Sequence, residues 1–252
     1  MTVRSLETQD TNLVVRYLHE HPTDYRGADR VARTHYAQPL RIHLNGIAGA
    51  LSGEQAQQVL DARHAQRKDL LARKRAGETI MAIPTDAFTV GFVWAPTTGG
   101  VGFATGTWDF RDDYVGAEAP DNIGTVGVEL GNCLQLGDTR SSARNYQGTP
   151  APADTTYLRD AGLTSGSPIV GVRDTVSGFV QAADNGTITT DVTVKPGCGP
   201  TPTQGQFIYA HNQGGGSVLS ASAGFGFLNI SYSSPQMELQ KSSDIAGFTI
   251  PA

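Results

Sequence analysis

The 252 residues contain none of the short signatures of nucleotide, zinc or serine-nucleophile chemistry: G-x-G-x-x-G, G-x-x-x-x-G-K-[ST], H-E-x-x-H and G-x-S-x-G are all missing. Rossmann and P-loop nucleotide binding are disfavoured by that absence, and no cofactor is expected. No apolar run approaches the roughly 18 residues of a membrane-crossing helix, and the opening MTVRSLETQD lacks the apolar stretch of a signal peptide. Cytoplasmic synthesis, or association with a particle, is the expectation that follows. Cysteine is scarce: Cys133 and Cys198 could close one bridge, but two is also an ordinary count for buried thiols. Charge is sparse at 17%, and a net charge of −5 removes bulk attraction to nucleic acid or anionic membranes.

What is abundant is glycine, 30 residues, with 13 prolines and no three-residue period, which excludes a collagen helix and predicts many turns. These residues are unevenly placed. Residues 1–78 hold 5 glycines and a net charge of +3, whereas 79–252 hold 25 glycines and a net charge of −8. The change near Gly77 divides the chain into a helical region, 1–78, and a Gly/Thr/Ser-rich β domain, 79–252.

In the first region Leu13, Val14, Tyr17 and Leu18 form one face of a helix after Asp10 that stops before Pro22. A second helix is predicted from about Gly27 to Tyr36, since Gln38 precedes Pro39 and is pushed out of the helical region. Ser52 and Gln55 make a capping box for a third, over about 53–76, with Gly77 as its stop.

From Thr79 the period falls to two. Phe88, Val90, Phe92 and Trp94 share one face of a strand, and turn chemistry at 96–100 joins it to a second strand over 101–108. Asn185-Gly186, the type I′ dipeptide, predicts another hairpin between GFVQAAD and TITTDVTVK. Further strands are expected at 123–130, 206–210 and 217–232. The polar stretch from Gly137 to Pro168 reads as a long loop, uncommon in a compact domain unless it binds something or lies across a neighbour. The fold class that results is α+β: an N-terminal helical region followed by a mainly antiparallel β-sandwich or barrel.

Candidate chemistry is thin. Asp109, Asp112 and Asp113 could offer oxygen ligands to Ca²⁺, although their spacing fits no EF-hand loop and a solvated acidic loop has the same composition. His211 could serve a hydrolase with Ser217 or a cysteine, but no nucleophile motif surrounds it. Arg67, Lys68, Arg73, Lys74 and Arg75 crowd the end of the third helix, where cations complement the helix dipole. No interleaved aromatics accompany them, so nucleic acid is not the expected partner; an acidic surface on another copy is.

Over 217–232 Leu219, Ala221, Ala223, Phe225 and Phe227 alternate with serine and glycine. A small-residue face admits close approach of another sheet or subunit. An amphipathic hairpin, 86–110 or 217–232, could also line a membrane barrel, which needs strands of about nine to eleven residues. The preferred expectation is a self-assembling structural subunit of a protein particle such as a virion, tail-like tube or similar shell. The alternatives are a pore-forming β-protein and a hydrolase with an unrecognised site.

Overall fold

The computed structural model describes residues 12–76, 88–98, 100–110, 122–145, 147–162, 165–173, 176–177, 180–181, 183–212, 218–233 and 238–251. Helices α1 (Leu13–Glu20), α2 (Tyr25–Tyr36) and α3 (Gly53–Arg75) come first, with strand β1 (Ile42–Leu44) between the last two. Strands follow: β2 (Phe88–Thr98), β3 (Val101–Phe110), β4 (Asn122–Val128), β5 (Leu134–Arg144), β6 (Thr156–Asp160), β7 (Ile169–Val172) and the short pair β8 (Val176–Ser177) and β9 (Val180–Gln181). The remainder are β10 (Asn185–Val194), β11 (Thr201–Asn212), β12 (Val218–Gly224), β13 (Phe227–Tyr232), β14 (Glu238–Ser242) and β15 (Ala246–Ile250). The architecture is α+β, with N-terminal helices followed by antiparallel sheets.

Each helix starts where a side chain can satisfy its first amide groups. Asn12 caps α1, its Oδ1 accepting from the amides of Val14 and Val15, and Asp24 caps α2. At α3 the capping box is complete: Ser52 Oγ accepts from the Gln55 amide at 3.2 Å and Gln55 Oε1 from the Ser52 amide at 2.9 Å. Helix α2 ends at Ala37, whose φ of 53° is left-handed, just before the Gln38-Pro39 step.

Two sheets pack face to face. The first has the order β1-β2-β3-β10-β5 and the second β14-β11-β4-β7-β6, with β15 beside the opening half of β11. Between them lies the main core, where Trp108 stacks on Tyr209 with centroids 5.2 Å apart, and Phe88, Phe92, Phe110 and Phe207 fill the rest. The expected face of Phe88, Val90, Phe92 and Trp94 is the one that enters this core. The opposite face of the first sheet is buried too, since Val93, Ala95 and Phe103 pack under Val14, Leu18, Ala28, Leu40 and Leu60 of the helical layer. Tyr25 reaches through that layer to Thr107, oxygen to oxygen 2.7 Å.

Several sequence expectations are corrected. Asn185-Gly186 is not a turn. Residues 185–194 run as one strand between β3 and β5, and Gly186 is required because a Cβ there would enter the Trp108 indole. The stretch 137–168 is not one loop: its first quarter completes β5 at a sheet edge, where polar residues face outward, and Thr156–Asp160 form β6. Within the expected strand 217–232 the described residues from Val218 form two strands, β12 and β13, turning at Gly226 with a φ of 83°. Strand β1, which no periodicity in three residues could reveal, seals the edge of β2 and is itself met by Leu51. Cys133 and Cys198 are bridged.

Gly106 lies beneath the Phe207 ring with no room for a Cβ. Gly106→Ala is expected to lower unfolding free energy by about 1–3 kcal/mol through overpacking, read as an earlier denaturant midpoint at unchanged slope. The bridge closes a loop of 65 residues, so the double variant Cys133→Ser, Cys198→Ser is expected to lose about 4 kcal/mol in the same measurement.

Candidate functional site

Strands β12 and β13 form a two-stranded sheet of their own, laid across the outer face of the second large sheet. Val218, Ala223 and Leu228 point down onto Ile123, Ile169, Ile208 and Ala210, forming a third, smaller core. That packing turns other apolar side chains outward. Leu219 is 65% exposed and Phe227 49% exposed, two of the three large exposed hydrophobics among the described residues; the third is Ile245. Ser220 and Ser222 of β12 are exposed as well. The register slips between Val218 and Ser220, a bulge-like irregularity that places Leu219 outside the alternation read from sequence. From Val218 to Tyr232 there is no charged residue and no proline. Sheet edges in monomers usually carry one or the other.

The sequence candidates are scattered rather than gathered. Asp109 stands on the helix-facing side of β3, 5% exposed, and its Oδ2 lies 2.6 Å from His64 Nε2 on α3. It therefore ties the helical layer to the sheet, a role no spacing rule could show because 45 residues separate the pair. Asp112 and Asp113 lie outside the described residues. Among the described residues no group of three His, Cys, Asp or Glu side chains is arranged to hold a metal ion. Arg67, Lys68, Arg73, Lys74 and Arg75 occupy the last three turns of α3, with Arg73 exposed. Phe225 is half-buried at the hairpin turn.

His211 is 1% exposed and belongs to the sandwich interior, its ring centroid 4.9 Å from that of Phe110 and 6.4 Å from that of Phe88. Burial pushes its pKa down to about 4. His19, over the open side of β10, is lowered to about 3 by burial and then by the neighbouring Arg144 and Arg140. Both imidazoles are neutral in the folded protein at pH 7.

A groove of about 1020 Å³ opens at one end of the sandwich, which sequence reasoning missed altogether. It is bounded by the segment leading into β1, the ends of β2 and β15, the corner between β4 and β5, and the start of β11. The Cys133–Cys198 bridge fixes that corner, aided by Lys195, whose amide donates to the Cys133 carbonyl at 2.8 Å and whose Nζ donates to the Asn132 carbonyl at 3.0 Å. At the floor Phe248 stacks on Trp94, centroids 5.2 Å apart and planes 13° from parallel, while the indole N–H donates to the Ala246 carbonyl at 3.1 Å. No single segment holds these residues, so only the folded chain shows them together.

No helix among the described residues is long and apolar enough to cross a membrane. No family model and no curated protein matches the sequence. Solved structures similar in part include AvmM, which catalyses macrocyclization in alchivemycin A biosynthesis: it is 9% identical over 58% of this chain and 87% of its own, with a TM-score of 0.27. The T6 backbone pilin of serotype M6 Streptococcus pyogenes is 10% identical over 59% of this chain and 32% of its own, at 0.29. A structure described as a pore forming protein is 7% identical over 64% of this chain and 84% of its own, at 0.28. Likenesses of this size transfer neither activity nor partner.

The buried histidine sets a pH dependence. With a native pKa of about 4 against an ordinary 6.5, the unfolded chain takes up a proton first as pH falls. Stability from His211 is thus fully present above pH 6.5 and lost between 6.5 and 4, at about 1.4 kcal/mol per pH unit. His211→Phe is expected to flatten the stability profile over that window by this slope, measured by denaturant unfolding at each pH.

Proposed function

We propose that the protein is a self-assembling structural subunit that joins a second copy of itself through the β12–β13 hairpin. One observation carries the reading: a hairpin with no charge and no proline turns Leu219 and Phe227 outward, beside the exposed Ser220 and Ser222 of β12. Burying such a patch against water-free surface is favourable at roughly 25 cal/mol per Å². An identical hairpin is its natural complement, because antiparallel pairing of β12 with β12 about a two-fold axis gives a four-stranded sheet. Such a contact closes on itself, so a particle needs a second one. The cationic end of α3, with Arg67, Lys68, Arg73, Lys74 and Arg75, set against the acidic β region of a neighbouring copy, supplies it.

Insertion of the same hairpin into a membrane is the second reading, favoured by its lack of charge. Strand length weighs against it. β12 has seven residues and β13 six, short of the about nine to eleven that cross a bilayer.

Analytical ultracentrifugation with and without liposomes tests both. Oligomers in the absence of lipid are expected, and Leu219→Lys with Ser222→Lys should return them to monomers of unchanged thermal stability, since charge on an edge blocks strand addition. A monomer at all concentrations overturns the assembly reading, and oligomers formed only on liposomes transfer the hairpin to the membrane reading.

A further inference from the structure

We propose that the groove at the end of the sandwich is a binding site for neutral carbohydrate. Three features of the groove converge on that class. The first is the stacked pair at its floor: Phe248 lies flat on Trp94, is itself half-exposed, and presents an aromatic platform of the kind on which the C–H face of a pyranose packs. Orientation of the platform is fixed, because the Trp94 indole N–H is held by the Ala246 carbonyl.

The second is the supply of uncommitted neutral hydrogen-bonding groups. Gln38, Asn132 and Gln204 line the groove, are exposed, and spend no side-chain hydrogen bond on the other described residues. Each amide offers a donor pair and an acceptor, which matches the donor-and-acceptor character of vicinal hydroxyls. Three amides from three separate segments, around one aromatic floor, form the mostly apolar cleft with few convergent polar groups that small-ligand sites show.

The third is charge. Arg41 and Glu129 both line the groove without forming an ion pair with each other, and their charges cancel. His43, 7% exposed, forms part of the wall with its Nδ1 unbonded and 3.8 Å from Asp244 Oδ2. Burial holds this imidazole below its ordinary pKa, so it adds no net charge at pH 7. A cleft of zero formal charge favours a neutral polyhydroxylated ligand over a phosphate or a nucleotide.

The site is independent of the assembly contact, which lies on the hairpin, and so the two can fail separately. The full chain is probed on an array of neutral glycans, and the glycans retained are titrated with tryptophan fluorescence as the readout, Trp94 being the indole at the groove. Saturable binding is expected, weakened tenfold or more by Phe248→Ala and several-fold by Gln204→Ala and by Asn132→Ala. The two amide variants alter exposed side chains that bond nothing among the described residues, so they remain informative if Phe248→Ala fails to fold. Leu219→Lys, on the hairpin, should bind as the unaltered chain does. Retention of no neutral glycan, retention of sialylated or sulfated glycans alone, or binding indifferent to both amide variants overturns the proposal. Saturable binding of a decaproline peptide in place of glycans also overturns it, assigning the groove to polyproline.

Discussion

Everything in this fold hangs on burying the first large sheet on both faces. One face meets the second sheet through aromatic rings, with Trp108 on Tyr209 at the centre. The other meets the three helices through Val93, Ala95 and Phe103. Rings of this size fit between two sheets only where a neighbouring position has no side chain, and so Phe207 lies over Gly106 of the facing sheet and Trp108 over Gly186 of the adjacent strand in its own sheet. Much of the glycine in the β region thus serves packing rather than turning.

That double use of glycine explains which parts of the chain were legible. The alternation from Phe88 to Trp94 was readable because bulky residues marked the core face, and the Ser52/Gln55 box was readable because its chemistry is local. Asn185-Gly186 misled because the same dipeptide that makes a turn also leaves space for an indole, and only the distant Trp108 decides between them. Residues 137–144 looked like a loop because the outer strand of a sheet with few covered positions is polar. The candidate sites were still less visible. Phe248 and Trp94 are 154 positions apart, and the amides around them come from three further segments, so no spacing carries the groove. Asp109 was singled out for its acidic neighbours, whereas its observed partner, His64, comes from the helical region.

The helix-facing side of the first sheet is unusually hydroxylic. Thr105 pairs with Thr189, Thr187 with Ser142, and Thr107 with Tyr25, each within hydrogen-bonding distance. Short β-branched hydroxyls keep strand propensity while giving each other partners, so these paired hydroxyls are satisfied without water. The layer is therefore specified by matched polar pairs next to apolar ones, which fixes the helices in one register rather than letting them slide.

The bond from the Trp94 indole to the Ala246 carbonyl spans 152 residues and joins the first long hairpin to one of the last strands. During synthesis the hairpin of β2 and β3 emerges with one face ready for helices already made, while its aromatic face has to wait for β11 and β15. A nascent chain halted anywhere before residue 246 exposes that face to solvent, and to any chaperone or sister chain that meets it. Translation pauses within this interval are hazardous to the protein in a way that pauses before β2 are not.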